Sequence, residues 1–239
     1  MFKRLKWLLM TIALLFGLNA NAYDVRSYIP VQAPAYLPML KIEIERVMPN
    51  HTQPSYFGGL VEQESCVSLT HSKCWNPRSR LKTSREEGAG FGQITRAYRN
   101  GSLRFDALAD NRRVIAGLAE LNWGNVYERP DLQLRLMVGM VKLCDNKLIN
   151  LVTDSAQRYQ MCDAAYNGGT AGLLNERRAC YLAKDCNANV WFGNVELHCL
   201  KSRRAIYGQR SACLINREHV VNVFRVRRGK YKAYLGADL

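Results

Sequence analysis

The stretch PDLQLRLMVGMVKL, at residues 130–143, decides the fold class of this chain. Pro130 stands where a helix would begin, since proline is well tolerated in the first helical turn. The run from Leu132 to Leu143 is apolar almost all round, and such a run predicts a helix buried at the centre of the protein. Alternation of apolar and polar residues is scarce elsewhere in the chain. We therefore expect a mostly α fold.

Other segments show helical spacing on both sides of this run. Residues 40–47 carry apolar side chains at helical intervals and predict a helix, after an extended lead-in over 23–38. The polar, glycine-containing residues between 66 and 90 predict a long loop. Further helices are predicted over 55–65, from about residue 94, over 111–122, over 151–165 and over 214–226.

The chain has 239 residues, of which 48% are hydrophobic, and carries 34 Lys and Arg residues against 20 Asp and Glu residues. This composition predicts one globular domain with an extension and excludes a disordered or fibrous chain. The net charge of +14 indicates an anionic partner. No recognised nucleic-acid motif accompanies the charge, so we expect no nucleic acid partner. The densest basic cluster, residues 225–232, is either a binding surface for polyanions or a solvated tail.

The first 22 residues, MFKRLKWLLMTIALLFGLNANA, have the three parts of a signal peptide. A basic start is followed by an apolar run over 7–18, and Ala20-Asn21-Ala22 offers a small-x-small cleavage pattern. We expect cleavage near Ala22 and export to the periplasm or the extracellular space. An uncleaved membrane anchor is the alternative, although the apolar run is short for a permanent span.

Eight cysteines agree with export, because an even number in a secreted chain favours disulfides. Many pairings are possible, and the simplest joins neighbours along the chain: 66 with 74, 144 with 162, 180 with 186, and 199 with 213. No Cys-x-x-Cys is present, and the histidines do not stand at ligand spacing with cysteines. We expect no metal site.

A glutamate near the end of the predicted 55–65 helix is the first candidate for chemistry. Glu64 shares a helical face with Phe57, Leu60 and Val61, so it is expected to point where the apolar side chains point. Burial would raise the pKa of such a carboxyl and suit it to general-acid catalysis. The alternative is a helix-end carboxylate paired with an arginine. Glu62 lies off this face and is expected to be solvated.

Two glycine-rich segments follow Glu64-Ser65: GAGFGQIT at 88–95 and AAYNGG at 164–169. In this order, the three segments resemble motifs of the lytic transglycosylases of the lysozyme-like superfamily. The resemblance covers about residues 40–175. It implies a lysozyme-like α-helical catalytic domain over 23–180, and we assign 181–239 to a basic, cysteine-containing, helical C-terminal extension packed on that domain.

The resemblance also implies roles for individual residues. Glu64 matches the single catalytic acid/base of the family, and Ser65 matches a small polar neighbour that orients the sugar. Tyr166 matches the tyrosine that hydrogen-bonds and positions the catalytic carboxyl. The segment that lines the glycan groove is matched by Gly90, Phe91, Gly92, Gln93 and Ile94, and the turn after the tyrosine by Asn167 and Gly168.

The reaction implied is cleavage of the β-1,4 bond between MurNAc and GlcNAc in peptidoglycan, with formation of 1,6-anhydroMurNAc and without a cofactor. The alternatives are a goose-type hydrolytic lysozyme with Glu86 or Glu87 as a second carboxylate, an inactive cell-wall-binding protein, and a cationic protein that disrupts membranes. The expected partner is the peptidoglycan glycan strand. Envelope polyanions and a secretion, conjugation or lysis machinery are further possible partners.

Overall fold

The structure is a computed structural model that describes residues 24–239. The signal peptide predicted over 1–22 lies outside the described residues. Within them the fold is mostly helical, as expected. The α-helices are α1 (Ala33–Val47), α2 (Ser55–Ser65), α3 (Ala107–Arg112), α4 (Pro130–Leu148), α5 (Ser155–Gly168), α6 (Thr170–Tyr181), α7 (Ala212–Val221) and α8 (Lys232–Leu235).

The remaining regular structure is short. Strands β1 (Arg80–Lys82), β2 (Glu86–Ala89), β3 (Ile94–Arg99) and β4 (Ser102–Asp106) form an antiparallel sheet in chain order. Strands β5 (Ala205–Tyr207) and β6 (Arg210–Ser211) form a hairpin. Turns of 3₁₀ helix cover Val126–Glu128, Val195–Leu197 and Arg228–Tyr231, and a π-helical turn covers Asn222–Arg227.

Helix α4 lies at the centre of the fold, as its sequence predicts. It begins at Pro130, and Asp131 in the first turn and Lys147 in the last turn complement the helix dipole. Leu134, Met137 and neighbouring apolar residues are fully buried. Helices α1 and α5 both pack against α4. Helices α1, α3 and α5 therefore share α4 as a common packing partner.

The sheet is the main difference from the sequence-based expectation. The predicted loop over 66–90 contains β1 and β2, and the helix predicted from about residue 94 is strand β3. Strands β3 and β4 are joined through Asn100 and Gly101, which both have positive φ, at 52° and 78°. Asn-Gly is the preferred sequence of a tight hairpin turn, because both residues tolerate positive φ. The Asn100-Gly101 pair is therefore a local sequence signal for this hairpin.

Three helical regions also differ from expectation. Helix α1 begins at Ala33, with proline in its first turn, so only the first part of the predicted lead-in is non-helical. The helix predicted over 111–122 is wrong, since α3 ends at Arg112 and turns follow. Helix α6 was not predicted, because the Gly168-Gly169 pair before it indicated a turn rather than a new helix.

Four disulfides staple the fold, and each joins neighbouring cysteines along the chain as the simplest pairing predicted. The bonds are Cys66–Cys74, Cys144–Cys162, Cys180–Cys186 and Cys199–Cys213. Such bonds persist in oxidising compartments and are rare in the cytosol of mesophiles. Over the part of the chain described, no helix has the length and apolar character needed to cross a bilayer.

The C-terminal segment, residues 181–239, packs directly on α2 through a buried ionic cluster. The side chain of Glu62 is 0% exposed, so the expectation that it is solvated was wrong. It pairs with Arg227 at 2.8 Å and with Lys230 at 2.7 Å, and it accepts a hydrogen bond from the Tyr231 hydroxyl. Burying a carboxylate is costly unless it is paired. Two residues of the basic 225–232 cluster therefore neutralise Glu62.

Replacing Glu62 by Gln is expected to lower the free energy of unfolding by about 3 kcal/mol, because it leaves the buried Lys230 ammonium without its counter-ion. Urea denaturation followed by circular dichroism measures this change. Glu45→Gln, on the exposed face of α1, is the matched control and should stay within about 0.5 kcal/mol of wild type. Equal stabilities for the two variants would contradict the structural role of Glu62.

Candidate functional site

A cleft of about 340 Å³ opens beside the C-terminal end of α2. One wall comes from the helix end and the residues after it, and the other comes from the sheet. The lining residues on the helix side include Glu64, Ser65, Cys66 and Val67, and those on the sheet side include Leu81, Glu86, Gly88, Gln93 and Thr95. The fold thus brings together Glu64 and Gln93, two residues that the sequence nominated separately.

Glu64 lies in the last turn of α2, and 15% of its side chain is exposed. Its Oε1 atom lies 2.6 Å from Nε2 of His219, which belongs to α7. The partner is therefore a histidine from the C-terminal segment, and not an arginine. Glu64 is partly shielded from water while it still borders the cleft.

His219 joins Glu64 to a second carboxylate. Its Nδ1 atom lies 2.8 Å from Oδ2 of Asp163, in α5, and its side chain is 3% exposed. Burial lowers the pKa of His219, but the charge of Asp163 and the hydrogen bonds to Asp163 and Glu64 outweigh it and raise the pKa to about 10. At neutral pH the ring is an imidazolium that donates one hydrogen bond to Glu64 and one to Asp163. We call these residues the Asp163–His219–Glu64 triad.

Two tyrosines lie beside the triad: Tyr56, which is fully buried, and Tyr166, which is partly buried. Burial raises the pKa of Tyr56, and the charges of Asp163 and Glu64 raise it further. The pKa of Tyr166 is raised well above its ordinary value by burial and by the same two carboxylates. Both phenols therefore stay neutral at physiological pH, and His219 is the cation that contacts the two acids.

Tyr166 and Ser65 make contacts other than those that the resemblance implied. The Tyr166 hydroxyl donates to the carbonyl oxygen of Gly92 at 2.7 Å, so it fixes the glycine-rich segment, while His219 makes the close contact with Glu64. The Ser65 hydroxyl donates to the Val61 carbonyl at 2.7 Å and accepts from the Trp75 amide at 3.0 Å. Ser65 lines the cleft, but its hydroxyl hydrogen-bonds to the backbone and stabilises the loop after α2.

Some residues of the glycine-rich segment 88–95 line the cleft, and others are buried in the core. Gln93 borders the cleft, and its side-chain amide donates to the Gly90 carbonyl at 3.0 Å. Phe91 and Ile94 are buried in the core instead. Gly90 has φ of 68°, and a Cβ there would collide with the Gln133 side chain; a Cβ at Gly92 would collide with the Tyr166 hydroxyl. The glycines are needed here for close packing within the protein.

Asn167 and Gly168 lie at the end of α5, against the C-terminal segment. The Asn216 amide donates to Asn167 Oδ1 at 3.0 Å, and a Cβ on Gly168 would meet both Asn216 and Lys201. These two predicted residues are not among those that border the cleft. They connect α5 to α7, the helix that carries His219.

The two candidate second carboxylates have different environments. Glu87 is 4% exposed and pairs with Arg80 at 2.6 Å and Arg96 at 2.7 Å. Burial raises the pKa of Glu87, but these two arginines hold it below its ordinary value overall. Glu87 is therefore a structural carboxylate of the sheet. Glu86 borders the same cleft as Glu64.

One group of side chains has the spacing of a metal site. Cys180, Cys186 and His198 bring their ligand atoms within 4.8 Å of one another. Both sulfurs, however, are joined in a disulfide. A thiolate is the form that binds metal, so the oxidised pair has no ligand to offer.

Comparisons with known proteins identify no relative. No protein-family model matches this chain. No curated protein and no solved structure matches it either.

Sequence analysis missed Asp163 and His219. Asp163 stands one helical turn before Tyr166, and His219 precedes the buried Val220 and Val223 in the last predicted helix. A titratable residue within an apolar face is the signal in the sequence that points to them. Nothing in the sequence, however, indicates that the two residues meet.

The triad predicts a pH-dependent stability. An unfolded histidine releases its proton near pH 6.5, whereas folded His219 keeps it to about pH 10. Its contribution to stability is therefore complete below pH 6.5 and is lost as the pH rises toward 10. The free energy of unfolding should fall in this window by up to about 1.4 kcal/mol per pH unit.

Urea denaturation of wild type and His219→Gln between pH 6.5 and 9.5 measures this effect. The variant is expected to lose most of the slope, and His198→Gln, a histidine without a carboxylate contact among the described residues, should keep it. His51 does not interfere, because burial lowers its pKa to about 3 and it stays neutral throughout the window. A wild-type slope equal to that of His219→Gln would contradict a charged His219.

Proposed function

We propose that this chain is an exported lytic transglycosylase that cleaves the β-1,4 bond between MurNAc and GlcNAc in peptidoglycan, with Glu64 as the single acid/base. One observation carries the proposal. Glu64 ends a buried helix, borders an open cleft opposite Gln93, and is held at one oxygen by His219. A fixed, partly desolvated carboxyl beside a groove is the arrangement that general-acid cleavage of a glycosidic bond needs.

The reaction uses one carboxyl in two steps. Protonated Glu64 first donates its proton to the bridging oxygen, and the bond from this oxygen to C1 of MurNAc breaks. The N-acetyl group of the same sugar assists at the oxocarbenium-like C1. The Glu64 carboxylate then accepts the proton of the C6 hydroxyl, and the C6 oxygen bonds to C1. Glu64 ends protonated and no water is consumed, unlike the reaction of two-carboxylate glycosidases.

The charge and covalent structure of the protein support an envelope substrate. Lys73 stands exposed on the cleft wall, and the chain carries a net charge of +14. Such a protein is attracted to a polymer that bears stem-peptide carboxylates. Four disulfides and the signal-peptide pattern over 1–22 support export to the periplasm or the extracellular space.

Glu64→Gln is expected to lower the rate of peptidoglycan cleavage by at least about a thousandfold, because the amide cannot supply the proton. Purified peptidoglycan is digested, and the muropeptides are separated and weighed by mass spectrometry. Wild type should release products with 1,6-anhydroMurNAc ends, one water lighter than lysozyme products. Substantial cleavage by a folded Glu64→Gln protein would refute the role of Glu64.

A hydrolytic lysozyme is the second candidate, and the presence of Glu86 on the opposite cleft wall favours it. A water positioned by Glu86 would give reducing ends in place of anhydro ends. For a transglycosylase, Glu86→Gln should lower the rate less than about tenfold and leave the anhydro products unchanged, since no second carboxylate takes part. A loss as large as that of Glu64→Gln, with reducing ends from wild type, would assign the protein as a hydrolase. Glu45→Gln is the control, since it lies exposed on α1.

A further inference from the structure

His219 lies behind Glu64 and has no role in the reaction as described above. We propose that His219 is a positioning residue that fixes the Glu64 carboxyl and, as a buried cation, stabilises its ionised form after proton transfer. This inference rests on the proposed function of Glu64. It adds a residue from the C-terminal segment, which the resemblance to lytic transglycosylases does not cover.

The geometry restrains the carboxyl at one oxygen. His219 Nε2 lies 2.6 Å from Oε1 of Glu64, and the ring is itself held at Nδ1 by Asp163 at 2.8 Å. A ring bonded on both sides cannot turn without losing two charge-assisted hydrogen bonds. Because Oε1 is engaged, the proton exchanged with the sugar is carried by Oε2.

The groups that shift the pKa of His219 come from helices α5 and α2. Helix α5 contributes Asp163 and Tyr166, and helix α2 contributes Glu64 and Tyr56. The two tyrosines stay neutral, so Asp163 balances the imidazolium when Glu64 is protonated. When Glu64 gives up its proton, the imidazolium gains a second anionic partner. This differential stabilisation favours the charged product of the first step.

Asp163 keeps the histidine charged. Burial alone lowers the pKa of His219, and Asp163 is the main group that raises it again. Without the Asp163 carboxylate the ring would become neutral and would offer Glu64 one hydrogen bond of lower strength. The proton balance of the reaction is unchanged by this arrangement, since His219 keeps both of its N–H groups throughout and only Glu64 exchanges a proton with the sugar.

The experiment compares wild type, His219→Gln and Asp163→Asn, with His198→Gln as the matched control. His219→Gln retains a side-chain N–H donor and removes the charge, and Asp163→Asn neutralises the group that sustains the charge. The ¹⁵N chemical shifts of the histidines report the state of the ring. The ¹³C shift of the Glu64 carboxyl reports its ionisation, and both are measured from pH 3 to pH 10 on the folded protein.

The expected result is a His219 imidazolium protonated on both nitrogens at pH 8. In His219→Gln the Glu64 carboxyl should lose its proton at a pH about one unit or more above wild type. The alkaline limb of kcat/KM for peptidoglycan cleavage should move in the same direction. A merely structural histidine would lower activity without moving either titration, and His198→Gln should move neither.

Two results would overturn the inference: a His219 ring that is neutral at pH 7 in the folded protein, or a Glu64 titration unchanged in His219→Gln. If His219→Gln does not fold, the same comparison is made with Asp163→Asn, in which the His219 ring should be neutral at pH 8. The NMR titrations do not require turnover. An inactive wild type would therefore refute the proposed function while the titrations still decide the role of His219.

Discussion

The structure depends on the neutralisation of one buried acid. Glu62 is enclosed within the protein, and Arg227 and Lys230 reach its carboxyl from the C-terminal segment. An ion pair of this kind is weak evidence for added stability, because desolvation offsets much of the attraction. Both cations come from the C-terminal segment, so the cluster connects that segment to α2.

Helix α2 contacts the C-terminal segment both in the core and beside the cleft. Glycines at 58 and 59 let the C-terminal segment approach closely, and a Cβ at Gly59 would lie 3.1 Å from the Arg228 backbone nitrogen. Glu62 then pairs with cations of that segment. Glu64, two residues later, contacts His219 of α7, which belongs to the same segment. The C-terminal segment is therefore an integral part of the site. A boundary at residue 180 separates Glu64 from the residue that holds it.

The sequence predicted best those features whose cause is local. The central helix and helix α2 were predicted because apolar periodicity and proline position act within a few residues. The sheet was missed because its strands are three to six residues long and carry little alternation. The Asn-Gly turn at 100–101 was a local signal that should have indicated it. Of the predicted site residues, Glu64 and Gln93 border one cleft.

The sequence by itself determined the helical class and the presence of a carboxyl on an apolar helical face. It left the pairing of the cysteines open, and the structure joins those that are close along the chain. Only the tertiary structure decided which glutamate is buried and what each one meets. Glu62 contacts Arg227 and Glu64 contacts His219, at separations of 165 and 155 residues along the chain. The different environments of the two glutamates therefore arise from contacts that are distant in sequence. Periodicity identifies a helix's apolar face, but long-range packing selects the cation that meets each acid.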